Sequence, residues 1–535
     1  MWPLLFFWDA GLMNVFLPTL TVILIFIFTI NIIKHLTSDL HIPIRDTSKQ
    51  HNWHHAKLLS KPCYCNVCEA LMVTGEGAYC DCCGVCADRG CIKPADQKIK
   101  CKVISSSDKD PMKHHWVKGN LPLGACCYIC VEDCGSEYGL VDWMCCWCQR
   151  TVHSQCHIHI DEVCDFGPYR NQMIPPSCVI LTKKRNSIRK KLQLRAVKSP
   201  GWKNWTPIIV LANRKSGNND GDIILSLFRR LLNPAQVVDL ADHSPEAALE
   251  WCSLLGEVRT TVLVAGGDGT VGWVLNAVNK LQLKPGPAVA ILPIGTGNDL
   301  SRVLGWGKEY HPDFDPVSVL EQVQNAQLVH LDRWNIEVRP YRHLGIYLPV
   351  RNMFMYNYLS VGVDAQVTLD FHRARESPFY IISSRLINKM LYLTYGTQQV
   401  MEREFRDLDQ RLELYLDGVR AELPSIESIV VLNIPSWGAG VDLWNMGADI
   451  ESVPTQSYSD NKLEVVALYS SFHIAQLQVG LSQPHRVGQA SSVQIKLKAM
   501  TPVQVDGEPW EQHPADLNIT FHNQATLLRY TEEAE

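Results

Sequence analysis

Three short stretches carry the residue types that handle phosphate. Asn213-Arg214-Lys215-Ser216-Gly217 follows one apolar burst, Gly266-Gly267-Asp268-Gly269-Thr270 a second, and Gly295-Thr296-Gly297-Asn298-Asp299 a third. Glycines let backbone N–H groups approach phosphate oxygens, and a helix that starts at the turn adds the positive end of its dipole. Thr270 and Thr296 can donate hydroxyl hydrogen bonds, while Asp268 and Asp299 can hold magnesium or accept a proton. Residues 267–272 (GDGTVG) also match the G-x-G-x-x-G form of a dinucleotide site, a weak signal when alone. None of these turns has the G-x4-GK[ST] form of a P-loop. Any one such turn can be a tight left-handed bend. Three on successive strands, each with Asn, Thr or Asp, point to a shared site.

A second set of residues suits metal. Eighteen of the twenty cysteines lie between Cys63 and Cys164, in paired C-x2-C steps with histidines interleaved. That clustering argues against a disulfide-stapled secreted domain and fits thiolate-bound metal in a reducing compartment. The cleaner cluster reads His114, Cys127, Cys130, Cys145, Cys148, His153, Cys156 and Cys164. Eight such donors suit two tetrahedral zinc ions. The other cluster reads His51, Cys65, Cys68, Cys80, Cys83, Cys91 and Cys101, with Asp88 where the repeat expects histidine and Cys86 as its rival. Zinc accepts a carboxylate, so about four zinc ions per chain are expected, or three if Asp88 does not ligate.

These residues need elements to position them. The bursts at 207–212, 261–265 and 288–292 read as strands, alternating with helical patterns at 222–232 and 245–255. Strand alternating with helix predicts a parallel sheet covered on both faces, with ligands at the carboxyl ends of its strands. A chain of 535 residues must hold several domains, and a net charge of −5 gives no case for a nucleic-acid partner. Val15 to Ile33 is apolar and uncharged, and as a helix it would span roughly 28 Å, close to a bilayer core. No Lys or Arg precedes it and no small-residue cleavage site follows, so an uncleaved membrane anchor is expected rather than a signal peptide. Asp9 before it and Lys34, Arg45 and Lys49 after it place the remainder in the cytosol. A span and a re-entrant hairpin both remain open. Between Lys183 and Lys198 stand eight basic residues and no acid. A solvated linker or a nuclear-localisation signal would read the same, but beside an anchor, adhesion to anionic lipid is the expectation, at up to ~1 kcal/mol per basic residue.

The cysteine spacing resembles the fingers of protein kinase C and of the diacylglycerol kinases. That resemblance implies interleaved ligands: His114, Cys145, Cys148 and Cys164 on one ion, and Cys127, Cys130, His153 and Cys156 on the other. The Gln-Gly pair that shapes the lipid groove in such fingers is replaced by Glu76-Gly77 and Tyr138-Gly139, which favours a structural or membrane-docking role. The strings NRKSG, VLVAGGDGTVGWVL and ILPIGTGNDLSR resemble the catalytic domain of eukaryotic diacylglycerol kinases. NYLSVGVDAQV, NIPSWGAGVDLW, LEVVALY and QVDGEPW resemble that family's accessory domain, and the layout is most similar to the epsilon type.

The resemblance implies a fold and a function. The expected architecture is multidomain: membrane anchor 1–40, zinc-bound fingers 51–101 and 114–164, basic linker 180–204, α/β catalytic domain 205–340 with a parallel sheet, and β-rich accessory domain 350–530 closing over the sheet's edge. The expected reaction is ATP-dependent phosphorylation of diacylglycerol to phosphatidic acid, attenuating diacylglycerol signalling and feeding phosphatidylinositol turnover at the endoplasmic reticulum or plasma membrane. The turns 266–270 and 295–299 would bind ATP phosphates, with Asn213 and Ser216 nearby. Asp268 would be essential as base or magnesium contact, and Gly267 would touch phosphate. Asp506, Gly507 and Glu508 would return to the nucleotide cleft. Arg302 would neutralise phosphate charge, and Asp364 would serve metal or structure. Related sphingosine and ceramide kinases share such turns but typically lack tandem fingers. A non-catalytic lipid scaffold would have no need of an intact Gly-Gly-Asp-Gly-Thr.

Overall fold

The structure, a computed structural model, describes residues 29, 43–44, 50–55, 63–73, 77–106, 111–183, 192–217, 220–310, 315–341, 349–376, 407–447 and 453–531. Among these, no helix is long and apolar enough to cross a membrane. The expected anchor at 15–33 lies outside the described residues apart from Thr29.

The catalytic sheet begins with β1 (Ile208–Ala212), whose five residues are all buried, as a central parallel strand requires. Helix α1 (Asp220–Leu231) follows. Asp220 and Asp222 lie in its first turn and Arg229 and Arg230 in its last, the charge order that suits the helix dipole. Next come β2 (Val237–Asp239), two short helices, β3 (Thr261–Gly266), α2 (Asp268–Leu281), β4 (Ala288–Pro293), α3 (Asp299–Val303) and α4 (Pro316–Asn325). The order β2-β1-β3-β4 is parallel throughout. One face packs Ile208, Val210 and Leu263 against Ile224 and Phe228 of α1 and Leu320 of α4. The other packs Ile209, Leu211 and Val264 against Val271 and Val274 of α2.

The sheet does not stop where the catalytic sequence does. Strand β5 (Gln327–Pro340) leads into β6 (Arg351–Met355), β7 (Tyr358–Gly362), α5 (Val363–Glu376), β8 (Leu412–Leu416), β9 (Ser428–Leu432), β10 (Leu463–Leu468), α6 (Ser471–Gln478), β11 (His485–Ala490), β12 (Ser492–Leu497), β13 (Thr501–Val505), β14 (Glu508–Gln512) and β15 (Ala515–Arg529). At its far end β15 lies parallel to β4, with Leu527 opposite Val289. Along its length it pairs antiparallel with β5, and in its first half with β12. The accessory half therefore extends the sheet, in place of the expected closing over its edge. The edge of β4, which would otherwise offer unpaired N–H and C=O groups, is occupied. A six-stranded antiparallel sheet, β11-β10-β9-β7-β13-β14, faces this extension. Trp334, Ile336, Leu517 and Ile519 interleave with Leu359, Val361, Ile429 and Val431 to form the sandwich core.

The expected basic linker differs as well. Val179–Lys183 and Leu192–Val197 pair as an antiparallel hairpin, joined by Pro43–Ile44. Val179 and Leu194 bury into the catalytic core, because the stretch alternates apolar with polar residues as well as being basic. The fingers are small three-stranded sheets ordered mainly by their cysteines.

Candidate active site and metal-ligand clusters

The three glycine-bearing turns sit side by side, because β1, β3 and β4 are neighbours and each turn leaves a carboxyl end. Asn213 closes the first: its Oδ1 accepts from Lys215 N at 3.0 Å and its carbonyl from Ser216 N at 2.9 Å. Arg214 makes ion pairs to Asp239 and Asp242, both at 2.8 Å. The other two turns touch backbone to backbone. A Cβ on Gly295 would lie 2.5 Å from Gly267 Cα, and one on Gly266 would lie 2.5 Å from Thr270 Cβ. Only glycine permits that approach. Thr296 and Gly297 complete the third turn. Asn298, in the left-handed region at φ +53°, braces it, accepting from Gly295 N at 3.1 Å and donating to Gly295 O at 2.9 Å.

Carboxylates gather over these turns. Asp268 opens α2, and its two oxygens accept from Asp299 N at 3.0 Å and Leu300 N at 3.1 Å, so it caps α3. A Cβ on Gly297 would lie 3.5 Å from both Asp268 Oδ2 and Asp299 Oδ2. Asp299 is buried and accepts from Ser436 Oγ at 2.5 Å, Gly440 N at 3.0 Å and Ala439 N at 3.3 Å. Burial, then the charge of Asp268, pushes its carboxyl up to about 6. Asp506, at φ +49°, accepts from the backbone N–H groups of Tyr356, Asn357 and Tyr358 at 2.7–3.1 Å. Burial raises it to about 7 against those three donors, with Asp268 adding its charge. Gly507 N donates to Gln504 Oε1 at 2.8 Å, and Glu508 brings its Oε1 to 3.5 Å from where a Cβ on Gly269 would be.

So residues some 240 positions apart in sequence share one cleft. Arg302 donates from Nε to Gly297 O at 3.2 Å and lies against Gly440, spanning the two halves. Asp364 is placed elsewhere: buried, it accepts from Ser360 Oγ, which in turn accepts from Gln504 Nε2 at 3.0 Å. Through Ser360 and Gln504 it connects by hydrogen bonds to Gly507. Ser436, Gly440 and Tyr356 were not singled out from sequence. Their signal lay inside NIPSWGAGVDLW and just ahead of NYLSVGVDAQV, strings without an obvious chemical group. Like-charged carboxylates with raised proton affinity and glycine turns open to phosphate fit a magnesium–nucleotide complex. Magnesium there would neutralise charge on the transferring phosphoryl group.

Among the described residues, four groups gather the expected ligands. His51, Cys80, Cys83 and Cys101 come together, as do His114, Cys145, Cys148 and Cys164, and Cys127, Cys130, His153 and Cys156. His51 Nδ1 lies 3.3 Å from Cys83 Sγ, and His153 Nδ1 lies 3.2 Å from Cys130 Sγ. Each of these two rings turns Nε2 to a backbone carbonyl at 3.0 Å, Ile99 and Asp133 respectively, leaving Nδ1 for metal. Thiols and imidazoles at that spacing fit tetrahedral zinc, which would supply folding energy. The fourth group is Cys65, Cys68 and Cys91. Asp88 lies beside it, its N–H 3.5 Å from Cys65 Sγ, while its Oδ1 accepts from Gly90 N at 2.6 Å. Cys86 turns its sulfur to Gly84 O at 3.6 Å.

Two stretches of the chain match known domain families, and curated proteins are similar along most of its length. Residues 207–334 match the diacylglycerol kinase catalytic domain and residues 354–509 the diacylglycerol kinase accessory domain. "Diacylglycerol kinase 2" of Arabidopsis thaliana is 31% identical over 88% of this chain and 82% of its own length. "Diacylglycerol kinase 1" of the same plant is 31% identical over 85% of this chain and 78% of its own. "Probable diacylglycerol kinase 3" of Caenorhabditis elegans is 33% identical over 88% of this chain, which spans 63% of that protein's length. With the glycine turns, the carboxylate cleft and the two matched domains in one molecule, the chain belongs to the diacylglycerol kinase family and is an enzyme of it.

Proposed function

We propose that the chain transfers the γ-phosphoryl group of magnesium-bound ATP to the free hydroxyl of a 1,2-diacylglycerol, giving phosphatidic acid and ADP. The observation that carries this reading is the contact between the 266–270 and 295–299 turns, with Asp268, Asp299, Asp506 and Glu508 around it. Phosphoryl transfer needs phosphate positioning, charge neutralisation and an oriented hydroxyl rather than covalent chemistry. Both oxygens of Asp268 are fixed by backbone N–H groups, which suits a magnesium contact better than a proton acceptor. In this reading the acceptor's proton passes to Glu508, which faces the glycine turns from the accessory half, and the lipid enters between the halves.

The finer reading is an epsilon-type enzyme, on the strength of the two fingers and the apolar amino-terminal stretch. It implies preference for polyunsaturated, arachidonoyl-like diacylglycerol, attenuation of diacylglycerol signalling and supply to phosphatidylinositol turnover. The enzyme would sit on the endoplasmic reticulum or plasma membrane with residues after 34 in the cytosol, its basic hairpin against anionic lipid. Glycosylation found at Asn518 would contradict that orientation. A panel of diacylglycerols, sphingosine and ceramide with ATP in mixed micelles tests the substrate. Faster phosphorylation of sphingosine or ceramide would overturn the assignment.

A further inference from the structure

The first finger does not hang free of the catalytic domain. Its contacts run along one face of α1, the helix that leaves the Asn213–Gly217 turn. His54 Nδ1 lies 3.7 Å from Asp222 Oδ2, and Tyr79 OH lies 3.1 Å from Ser226 Oγ. Asp81, buried, accepts from Arg229 Nη1 at 2.9 Å and from His54 Nε2 at 3.0 Å. Lys102 is wholly buried, and its ammonium donates to Arg230 O at 2.8 Å and Leu232 O at 2.7 Å. It also lies 4.3 Å from the centre of the Trp147 ring in the second finger, whose Gln149 donates to Arg230 O at 3.4 Å.

These contacts are costly to build unless they hold something in place. A buried ammonium is unfavourable without full hydrogen bonding. Here it is matched by the unsatisfied carbonyls and negative dipole end of α1. The opposite end of α1 has no slack. A Cβ on Gly221 would lie 2.0 Å from Asn213 O, and Gly221 N donates to Ser216 O at 3.3 Å. A shift of α1 along its axis must therefore displace Asn213 and Ser216.

We propose that Asp81 and Lys102 are positioning residues for phosphoryl transfer, setting the nucleotide-side turn Asn213–Gly217 through helix α1. This rests on the reading of that turn as part of the ATP site. It assigns the first finger to the kinase machinery as a brace, with its zinc-ligand framework next to each contact: Tyr79 and Asp81 flank Cys80, and Lys102 follows Cys101.

The test uses the full chain in mixed micelles, with Lys102→Met and, separately, the double variant Tyr79→Phe/Arg229→Gln. Expected is a rise in KM for ATP of about tenfold with KM for diacylglycerol within about twofold of the parent. Hydrogen exchange should quicken at residues 213–221 while residues 359–361 of the accessory sheet stay protected. ATP affinity measured calorimetrically without lipid should fall by the same factor, which keeps the inference separate from the choice of lipid substrate. If Lys102→Met does not fold, the double variant decides alone. Folded variants with parental ATP affinity and parental exchange at 213–221 would overturn the proposal, as would equal losses for both substrates.

Discussion

Asp268 carries the proposed reaction at the residue scale, and its geometry says what a substitution removes. Asparagine can keep one acceptor for the α3 N–H groups but loses the charge and the second acceptor. Asp268→Asn is expected to cost at least roughly a hundredfold in turnover, with a stability loss near that of a weakened helix cap, about 1 kcal/mol. Steady-state kinetics and thermal melts on the same preparation check both. A second carboxyl gives a pH signature independent of the cleft. Glu464 is fully buried between Gln456 and Gln489, both donating at 2.8 Å, and burial pushes it up to about 8. Its folded value lies above the ordinary glutamate value of about 4.3, so the folded state holds the proton more tightly. That contribution is fully present below the ordinary value and is lost as pH rises towards 8. Glu464→Gln should therefore melt several degrees above the parent at pH 8.5 and close to it at pH 4.5. Equal melting shifts at the two pH values would contradict this. Asp268 and Asp299 were legible in the sequence because glycines surround them. Ser436 and Tyr356 were not, because their role lies in what they face from a distant part of the chain.

At the scale of elements, the site depends on two turns meeting without side chains between them. Gly295→Ala places a Cβ 2.5 Å from backbone rather than from a side chain that could rotate away. It should lower turnover by at least roughly tenfold, given how steeply catalysis depends on placement. Gly286→Ala is the control, since its Cβ would meet only Leu283 O at 3.6 Å, and it should behave as the parent. Equal activity of the two variants would show that the turns tolerate separation. The strands β1, β3 and β4 were legible as apolar bursts, being buried on both faces. The long pair β5 and β15 was not. Gln327–Pro340 mixes charge with apolar residues, and its partner lies nearly two hundred positions away. Charge dominates the composition of the basic stretch, yet the alternation in Leu192–Val197 is what makes it a strand.

For the whole molecule, β15 joins the halves into one sheet, so the cleft between Asp268 and Asp506 is framed by shared secondary structure rather than by a free hinge. The fingers would add metal to that frame. Metal analysis should find about four zinc ions per chain, falling by about one in Cys68→Ser and unchanged in Cys126→Ser, whose sulfur is exposed and outside the ligand plan. Two or fewer in the folded parent would contradict the paired-finger assignment. The domain order was readable because the cysteines and glycine turns are local in sequence. The continuity of the sheet was not, because it is made by pairing between distant segments. The most direct measurement is transfer of labelled phosphate from ATP to 1,2-diacylglycerol in mixed micelles, parent and Asp268→Asn side by side. The predicted result is labelled phosphatidic acid from the parent, dependent on magnesium, and at least roughly a hundredfold less from the variant. No labelled lipid from a folded parent, or undiminished product from the variant, would contradict the account.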